Sequence, residues 1–98
     1  MTLEITSRHY DFPDRIKEYA EEEVEKITKI HDRIVSTRVI LDRLKEGDMA
    51  EINIHISGKD FFASETTDDI TKSIDRTVDK IRKQLKRYKG KRYTNYGG

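Results

Sequence analysis

A run of basic residues near the carboxyl end is the part of this sequence best suited to binding chemistry. Residues 80–92 read KIRKQLKRYKGKR and contain eight lysines and arginines but no carboxylate. The whole chain has 20 basic and 19 acidic residues, so the positions outside this run carry a net negative charge. Such segregation favours a polyanionic partner, and the phosphates of nucleic acid are the leading candidate.

Three histidines are the alternative source of chemistry. A metal site or a general base would need two or three of them to converge with carboxylates. His55 alternates outward on a predicted strand, His31 ends a predicted helix and His9 lies in a predicted loop, so nothing brings them together. The chain also has no cysteine and no phosphate-binding glycine loop. The sequence therefore predicts that the protein is not an enzyme and has no metal and no cofactor.

The composition predicts one small soluble domain. The 98 residues are 34% hydrophobic and 40% charged, and twelve isoleucines at regular spacings dominate the apolar set. This length fills a single core. No apolar run reaches membrane-spanning length and no apolar signal segment opens the chain, so we expect a cytoplasmic protein. We place the domain at residues 1–92 and a flexible tail at 93–98.

Side-chain alternation predicts four strands. Residues 2–8 alternate between apolar and polar, and residues 34–44 are rich in β-branched side chains. The clearest strand is 50–56, in which isoleucine alternates with polar residues. A turn at 57–60 leads into the fourth strand, 61–66, and completes a hairpin.

Two amphipathic helices complete the pattern. The first begins near Pro13, whose fixed φ and acidic neighbours suit a first helical turn, and its apolar stripe is Ile16, Ala20, Ile27 and Ile30. The second begins at 67–69, and its stripe is Ile70, Ile74, Val78, Ile81, Leu85 and Tyr88. The predicted fold is therefore α+β, in the order β-α-β-β-β-α, with a four-stranded sheet and two helices packed on one face.

The basic run falls on the solvent face of the predicted last helix. This face carries Lys72, Arg76, Lys80, Lys83 and Arg87, and it is widened by Arg82, Lys86 and Lys89. The helix dipole stabilises cations near a C-terminus, so an ordinary solvated face is the competing interpretation. That effect fades within the last turn, and no acid is interleaved between Lys80, Lys83 and Arg87 to relieve their repulsion. We therefore interpret the run as a polyanion-binding face.

The predicted order contains the α-β-β-β-α layout of double-stranded-RNA-binding domains. Those domains place basic residues where the last helix begins, whereas this chain has Asp68 and Asp69 there and its bases at the far end. The layout is similar, but we do not expect shape-reading of a long RNA duplex.

Four stretches carry a resemblance to a known family: LEITSRH (3–9), KITKIHDRI (26–34), ASETTDDI (63–70) and IDRTVDKIRKQLKRYK (74–89). Together they resemble the ribosome hibernation-promoting factors, also called ribosome-associated inhibitors or stationary-phase ribosome-binding factors. The resemblance covers nearly the whole chain. It implies a domain that enters the small-subunit cleft between head and body, overlaps the paths of messenger RNA and of A- and P-site transfer RNA, and stops translation without chemistry.

The resemblance also implies the ribosomal RNA contacts. On the last helix these are Lys80, Lys83, Arg87 and Lys91. Near the end of the first helix and of the first strand, the supporting residues are Lys26, Lys29, Arg33 and Arg8. We add the other cations of the basic run, Arg82, Lys86, Lys89 and Arg92.

Two features depart from the family pattern. The run Glu21-Glu22-Glu23 is more acidic than the family leads us to expect, so this flank faces away from RNA or towards a basic ribosomal protein. The sequence ends at Gly98 without the dimerising domain of long members. We expect either a short member or the N-terminal domain of a long one.

The expected partner is the small ribosomal subunit, through ribosomal RNA and ribosomal proteins. We expect no membrane partner and no small-molecule substrate, and a monomer when the protein is free. Two other classes of function stay open, a stand-alone RNA chaperone and a basic protein-interaction module. Tyr93 and Tyr96 fit either stacking on unpaired bases or a flexible tail.

Overall fold

The computed structural model describes residues 2–29, 31 and 33–97, with side chains described as far as Tyr88. Its elements are β1 (Thr2–Arg8), α1 (Asp14–Thr28), β2 (Ile34–Leu44), β3 (Gly47–Ile56), β4 (Lys59–Thr67) and α2 (Ile70–Gly97). The predicted β-α-β-β-β-α order is confirmed. Both hairpins are tighter than predicted, because β3 begins at Gly47 and β4 begins at Lys59.

The strands form one sheet in the order β1-β2-β3-β4. β1 pairs in parallel with β2, from Thr2 opposite Ser36 to Arg8 opposite Asp42, whereas the other two pairs are antiparallel. A parallel pair requires a crossover connection, which α1 supplies. β4 runs in the same direction as β1. Each helix runs in the direction opposite to the strand that precedes it. The two helices therefore run in the same direction, and their carboxyl ends lie at one end of the sheet.

Gly47 lets the β2–β3 hairpin lie against the end of β4. Its φ is +149°, a conformation that glycine adopts and other residues rarely do. A Cβ atom at this position would lie 2.5 Å from the carbonyl oxygen of Thr67. Any larger residue would therefore push the hairpin away from β4.

The core lies between the sheet and both helices. The predicted alternation in β3 is confirmed, since Ala50, Ile52, Ile54 and Ile56 are all buried. The predicted stripe of α2 is also buried at Ile70, Ile74, Val78, Ile81 and Leu85, with Tyr88 packed at its margin. From α1 the buried residues are Ala20, Val24 and Ile27, with Ile16 partly buried; Ile30 lies outside the described residues. Burying an isoleucine contributes about 1.5–3 kcal/mol relative to exposure.

Two buried hydroxyl groups join α2 to β3. Ser73 and Thr77 are both fully buried, although the apolar stripe did not include them. The Ser73 hydroxyl donates to the backbone carbonyl oxygen of Asp48 at 2.7 Å. The Thr77 hydroxyl lies 3.1 Å from the backbone carbonyl oxygen of Ala50. These contacts fix the distance between α2 and the sheet, because a short side chain such as serine or threonine reaches a strand carbonyl only when the helix lies close to the strand.

A side-chain hydrogen bond joins the second turns of the two helices. The hydroxyl group of Tyr19 donates to the carboxylate of Asp75. This hydrogen bond, together with burial, raises the pKa of Tyr19 to about 12. The contact fixes the register of α1 against α2, so the ends of both helices are placed by the same link.

The last helix is longer than predicted. Its backbone continues to Gly97, so residues 93–97 are helical where the missing periodicity favoured an irregular tail. No proline interrupts this segment, and a helix needs no apolar stripe where it extends past the sheet. The predicted flexibility of residues 93–98 stays a prediction. Within the described part of the chain, no helix is long and apolar enough to cross a membrane.

Candidate nucleic-acid interface

Helix α2 presents the predicted cations on its solvent side. Arg76, Lys80, Arg82, Lys83, Lys86 and Arg87 are all exposed, and we call this set the basic face. Ile81 and Leu85 lie between these cations in the sequence and are buried against the sheet, at 0% and 1% exposure. The basic face therefore rests on a helix that its own core residues hold in place. Lys89, Lys91 and Arg92 have side chains outside the described residues.

Three lysines of α2 have carboxylate partners, contrary to the expectation that no acid relieves this surface. Lys83 lies 3.0 Å from Asp79, and Lys80 lies 3.4 Å from Glu65 on β4. Lys72, earlier on the helix, lies 3.9 Å from Asp68. The expectation was wrong for Lys80 and Lys83 because it considered only residues between them, whereas the partners stand one turn earlier or on a neighbouring strand.

The unpaired positive charge is concentrated in the later turns of α2. Among the described residues, the side chains of Arg82, Lys86 and Arg87 form no ion pair or hydrogen bond, and in the earlier turns of the basic face the same holds only for Arg76. The pair between Lys83 and Asp79 joins two exposed groups and contributes only about 0–1 kcal/mol. In the pair that holds Lys80, the lysine is exposed and Glu65 is partly buried. Replacing Asp79 by another anion therefore costs little, and the Nζ atoms of both lysines stay at the surface.

Cations from other elements lie at the same end of the domain. Lys26 and Lys29 lie at the carboxyl end of α1, and Arg33 directly precedes β2. Lys26 is paired with Glu23 at 2.6 Å, whereas Lys29 and Arg33 form no ion pair with any described residue. The parallel course of the helices thus brings three predicted residues to the end of the sheet that α2 reaches with its basic face.

Lys59 is a further cation at this end that the sequence did not single out. It is the first residue of β4, and its Nζ lies 5.5 Å from the ring centroids of both Phe61 and Tyr88. The two rings meet edge to face at 5.2 Å. The only signal available in the sequence was a lysine in a turn, and a turn lysine is ordinarily solvated. Its position beside α2 depends on the packing of β4.

Arg8 does not join this cluster. It lies opposite Asp42 at the far end of the β1–β2 pair, whereas Arg33 precedes Ile34 at the near end. Nine residue steps separate position 33 from Asp42, a distance of about 30 Å at 3.3 Å per residue. At the far end Arg43 is also engaged, through hydrogen bonds of 2.9 and 3.3 Å to Asp48 that raise its pKa.

His9 and His55 lie at opposite ends of the sheet. His9 contacts the buried carboxylate of Asp42 at 2.9 Å, and His55 contacts Asp60 at 2.5 Å. His55 pairs with Ser36, six residues before Asp42, so the two contacts are about 20 Å apart along β2. Within the described ranges, no three His, Asp or Glu side chains are grouped to hold a metal ion.

The outer side of α1 has the opposite charge. Glu18, Glu21, Glu22 and Glu25 are exposed, and none of them pairs with another described residue. Glu23 differs, because it is partly buried and pairs with Lys26. An anionic ligand is therefore attracted to α2 and repelled by the middle of α1, which gives the domain a direction in which it can approach RNA.

This architecture, with exposed cations gathered at one end of two parallel helices, defines a small α+β domain suited to binding a polyanion. A family model described as "Sigma 54 modulation protein / S30EA ribosomal protein" matches residues 3–93. The chain belongs to this family, and the resemblance drawn from its sequence is confirmed.

Named relatives cover nearly the whole chain. The ribosome hibernation promoting factor of Azotobacter vinelandii is 30% identical over 98 residues, which span all of this chain and 92% of that protein. The ribosome-associated factor Y of Haemophilus influenzae is 32% identical over 91 residues, covering 93% of this chain and 85% of that protein.

Solved structures have the same fold. The N-terminal domain of Thermus thermophilus Protein Y is 26% identical, with a TM-score of 0.79 over 90% of this chain and 99% of that one. A ribosomal subunit interface protein from Coxiella burnetii has a TM-score of 0.85 at 24% identity, over 92% of this chain and 99% of that one. At that identity the second likeness supports the fold alone.

Proposed function

We propose that this chain is a ribosome-binding hibernation factor. It binds the small ribosomal subunit through the basic face and lies across the path of messenger RNA and of A- and P-site transfer RNA. Inhibition then follows from occlusion and requires no chemical step. The observation that carries the proposal is the group of unpaired cations Arg82, Lys86 and Arg87 on a helix anchored by the core. Membership of the family and the names of the relatives support the same reading.

The charge arrangement suits a folded RNA better than a single anionic ligand. The basic face steps along α2 at three- and four-residue intervals, about 5 Å per turn, so its cations meet several phosphates of a backbone at once. Because α2 is already packed on the sheet, its backbone loses little conformational entropy on binding. Lys29, Arg33 and Lys59 extend the contact across the end of the sheet, and we expect the acidic side of α1 to face away from RNA.

The test is co-sedimentation with vacant small subunits. The protein is incubated with subunits, with free ribosomal RNA or with an unrelated acidic protein, and each mixture is pelleted. Occlusion predicts that the protein pellets with the subunit and that transfer RNA displaces it. Equal binding to free ribosomal RNA would indicate an RNA chaperone instead, and binding to the acidic protein would indicate a protein-interaction module.

A further inference from the structure

The face of the sheet opposite the helices, which we call the open face, carries an exposed phenylalanine. Phe62 on β4 is 52% exposed, whereas Phe61 and Ala63 on either side of it are buried at 5% and 4%. Within the described strands, Phe62 is the only exposed aromatic residue. The residues next to it on this face, Asp60 and Ser64 on β4 and Asn53 on β3, are polar.

Phe62 belongs to a row that crosses all four strands. It lies opposite Asn53 on β3, which lies opposite Arg38 on β2, which lies opposite Glu4 on β1. Side chains directly opposite each other have Cβ atoms about 4.5–5.5 Å apart, so the members of the row are neighbours. Arg38 and Glu4 approach to 3.5 Å. A groove of about 210 Å³ lies beside the row and is lined by Glu4, Arg38 and Asn53.

The backbone beneath Phe62 is held from the other side of the sheet. The side-chain amide of Gln84 on α2 donates to the carbonyl oxygen of Phe62 at 2.8 Å. β4 is an edge strand, and this hydrogen bond occupies an acceptor that an added strand would need. The contact therefore opposes the addition of another strand at this point. It also fixes the backbone of Phe62, so that its ring stays on the open face.

We propose that Phe62, Asn53 and Arg38 bind an unpaired nucleotide of RNA, with its base stacked on the ring of Phe62. A base has an apolar face for the ring and polar edges for the amide of Asn53, which both donates and accepts hydrogen bonds. The guanidinium of Arg38 supplies donors for the sugar or phosphate of the same nucleotide. The proposal rests on the proposed function, to which it adds a second RNA contact on the opposite side of the domain.

The surroundings of Phe62 favour a base over a protein partner. The core of a protein interface is a contiguous apolar area from which charged residues are depleted. Here the nearest side chains on the open face are polar, with Asn53 opposite and His55 and Asp60 one step along the strands. A single ring among hydrogen-bonding groups suits one flat heterocycle, and duplex RNA offers no free base to it.

The first test uses fluorescence. The chain has no tryptophan, so Phe62→Trp places the only indole on the open face. We expect a short single-stranded oligoadenylate to quench its emission saturably, and a blunt RNA duplex at equal phosphate concentration to leave it unchanged. Equal quenching by both RNAs, or by neither, would overturn the proposal.

The second test measures affinity and does not depend on the tryptophan variant. By fluorescence anisotropy with labelled oligoadenylate, Phe62→Ala should weaken binding about tenfold, a typical loss for one stacked base. The matched control is Val35→Ala, because Val35 is also apolar and 51% exposed but lies outside the row; it should bind like the parent. Phe62→Leu keeps an apolar side chain without a ring and should lose as much affinity as the alanine variant.

The outcomes separate this proposal from the proposed function. If Phe62→Ala binds oligoadenylate like the parent while charge reversal on α2 abolishes subunit binding, the stacking site is overturned and the ribosomal function stands. If Phe62→Trp is quenched by single strands while the charge-reversed protein still pellets with subunits, the stacking site stands and the role of the basic face is overturned. If Phe62→Leu retains subunit binding that Phe62→Ala loses, the residue makes an apolar protein contact and the stacking proposal fails.

Discussion

Reversing two charges on the basic face tests whether it carries ribosome binding. In the variant Lys83→Glu with Arg87→Glu, both side chains are exposed and lie away from the buried residues Ile81 and Leu85. Two cations that attract phosphate become anions that repel it in a cleft lined with RNA. We expect affinity for the small subunit and translational inhibition to fall together, by at least about tenfold.

The cost to the fold follows from the contacts of Lys83. The variant loses the 3.0 Å pair with Asp79, which as an exposed i,i+4 pair contributes about 0.3–0.5 kcal/mol. The new like-charge contact from position 83 to Asp79 adds about 0.2–0.5 kcal/mol, whereas positions 83 and 87 repel each other in the parent as well as in the variant. The free energy of unfolding should therefore fall by about 0.5–1 kcal/mol, which lowers Tm by about 2–8 °C in a domain of this size. Thermal unfolding measured by circular dichroism checks this value.

The matched control changes the net charge equally at the other end of the domain. Arg15 and Lys45 are exposed and unpaired with any described residue, and they lie in the first turn of α1 and in the β2–β3 turn. Arg15→Glu with Lys45→Glu should bind subunits within a few-fold of the parent, because the loss depends on position and not on total charge. If the α2 variant melts as expected and still inhibits like the parent, the basic face is only a solvated surface and the reasoning is refuted.

Three further predictions concern salt, chemistry and pH. If about six phosphates are contacted, a plot of log affinity against log salt should have a slope of roughly −4 to −5, and a slope near zero would indicate docking through protein. Replacing His9, His31 and His55 together by glutamine should leave inhibition of in vitro translation within a few-fold of the parent, whereas a collapse with the fold intact would point to an enzyme. The folded-state pKa of Tyr19, about 12, exceeds its ordinary value of 10.0. The hydrogen bond from Tyr19 to Asp75 therefore stabilises the folded state below pH 10, and this stabilisation is lost as the pH rises towards 12. Tyr19→Phe should therefore reduce the fall in stability over this range, as measured by urea unfolding at both ends of it; an unchanged fall would show that the hydrogen bond to Asp75 does not form.

The fold was predictable wherever burial follows a simple period. β3 alternates strictly, and α2 repeats its apolar residues at three and four positions, so both elements and their inner faces were predicted. Ser73 and Thr77 escaped prediction because a buried hydroxyl looks like a surface residue until its carbonyl partner is known. Gly47 is a similar case, since its need for glycine arises from Thr67, twenty residues later, which only the packed sheet brings near.

The candidate site was predictable as far as it depends on one helix. Helical spacing alone placed Arg82, Lys83 and Arg87 outward. The partner of Lys80 could not be predicted, because Glu65 comes from a different element. The position of Arg8 depends on the direction of β1. An antiparallel β1 would end beside Arg33, whereas the parallel strand ends about 30 Å away.

The parallel pairing of β1 has a consequence for how the chain folds. The β2–β3 and β3–β4 hairpins close across two-residue turns, whereas 33 residues lie between Thr2 and its partner Ser36. With an entropy of closure that grows as (3/2)RT ln n, the longer loop costs about 2.5 kcal/mol more to close. The other three strands and α2 can therefore assemble first, and β1 docks on a sheet that already exists. Since β1 is also the least buried strand, its amide protons should exchange earliest in the sheet, so the strand that docks last is also the first to open.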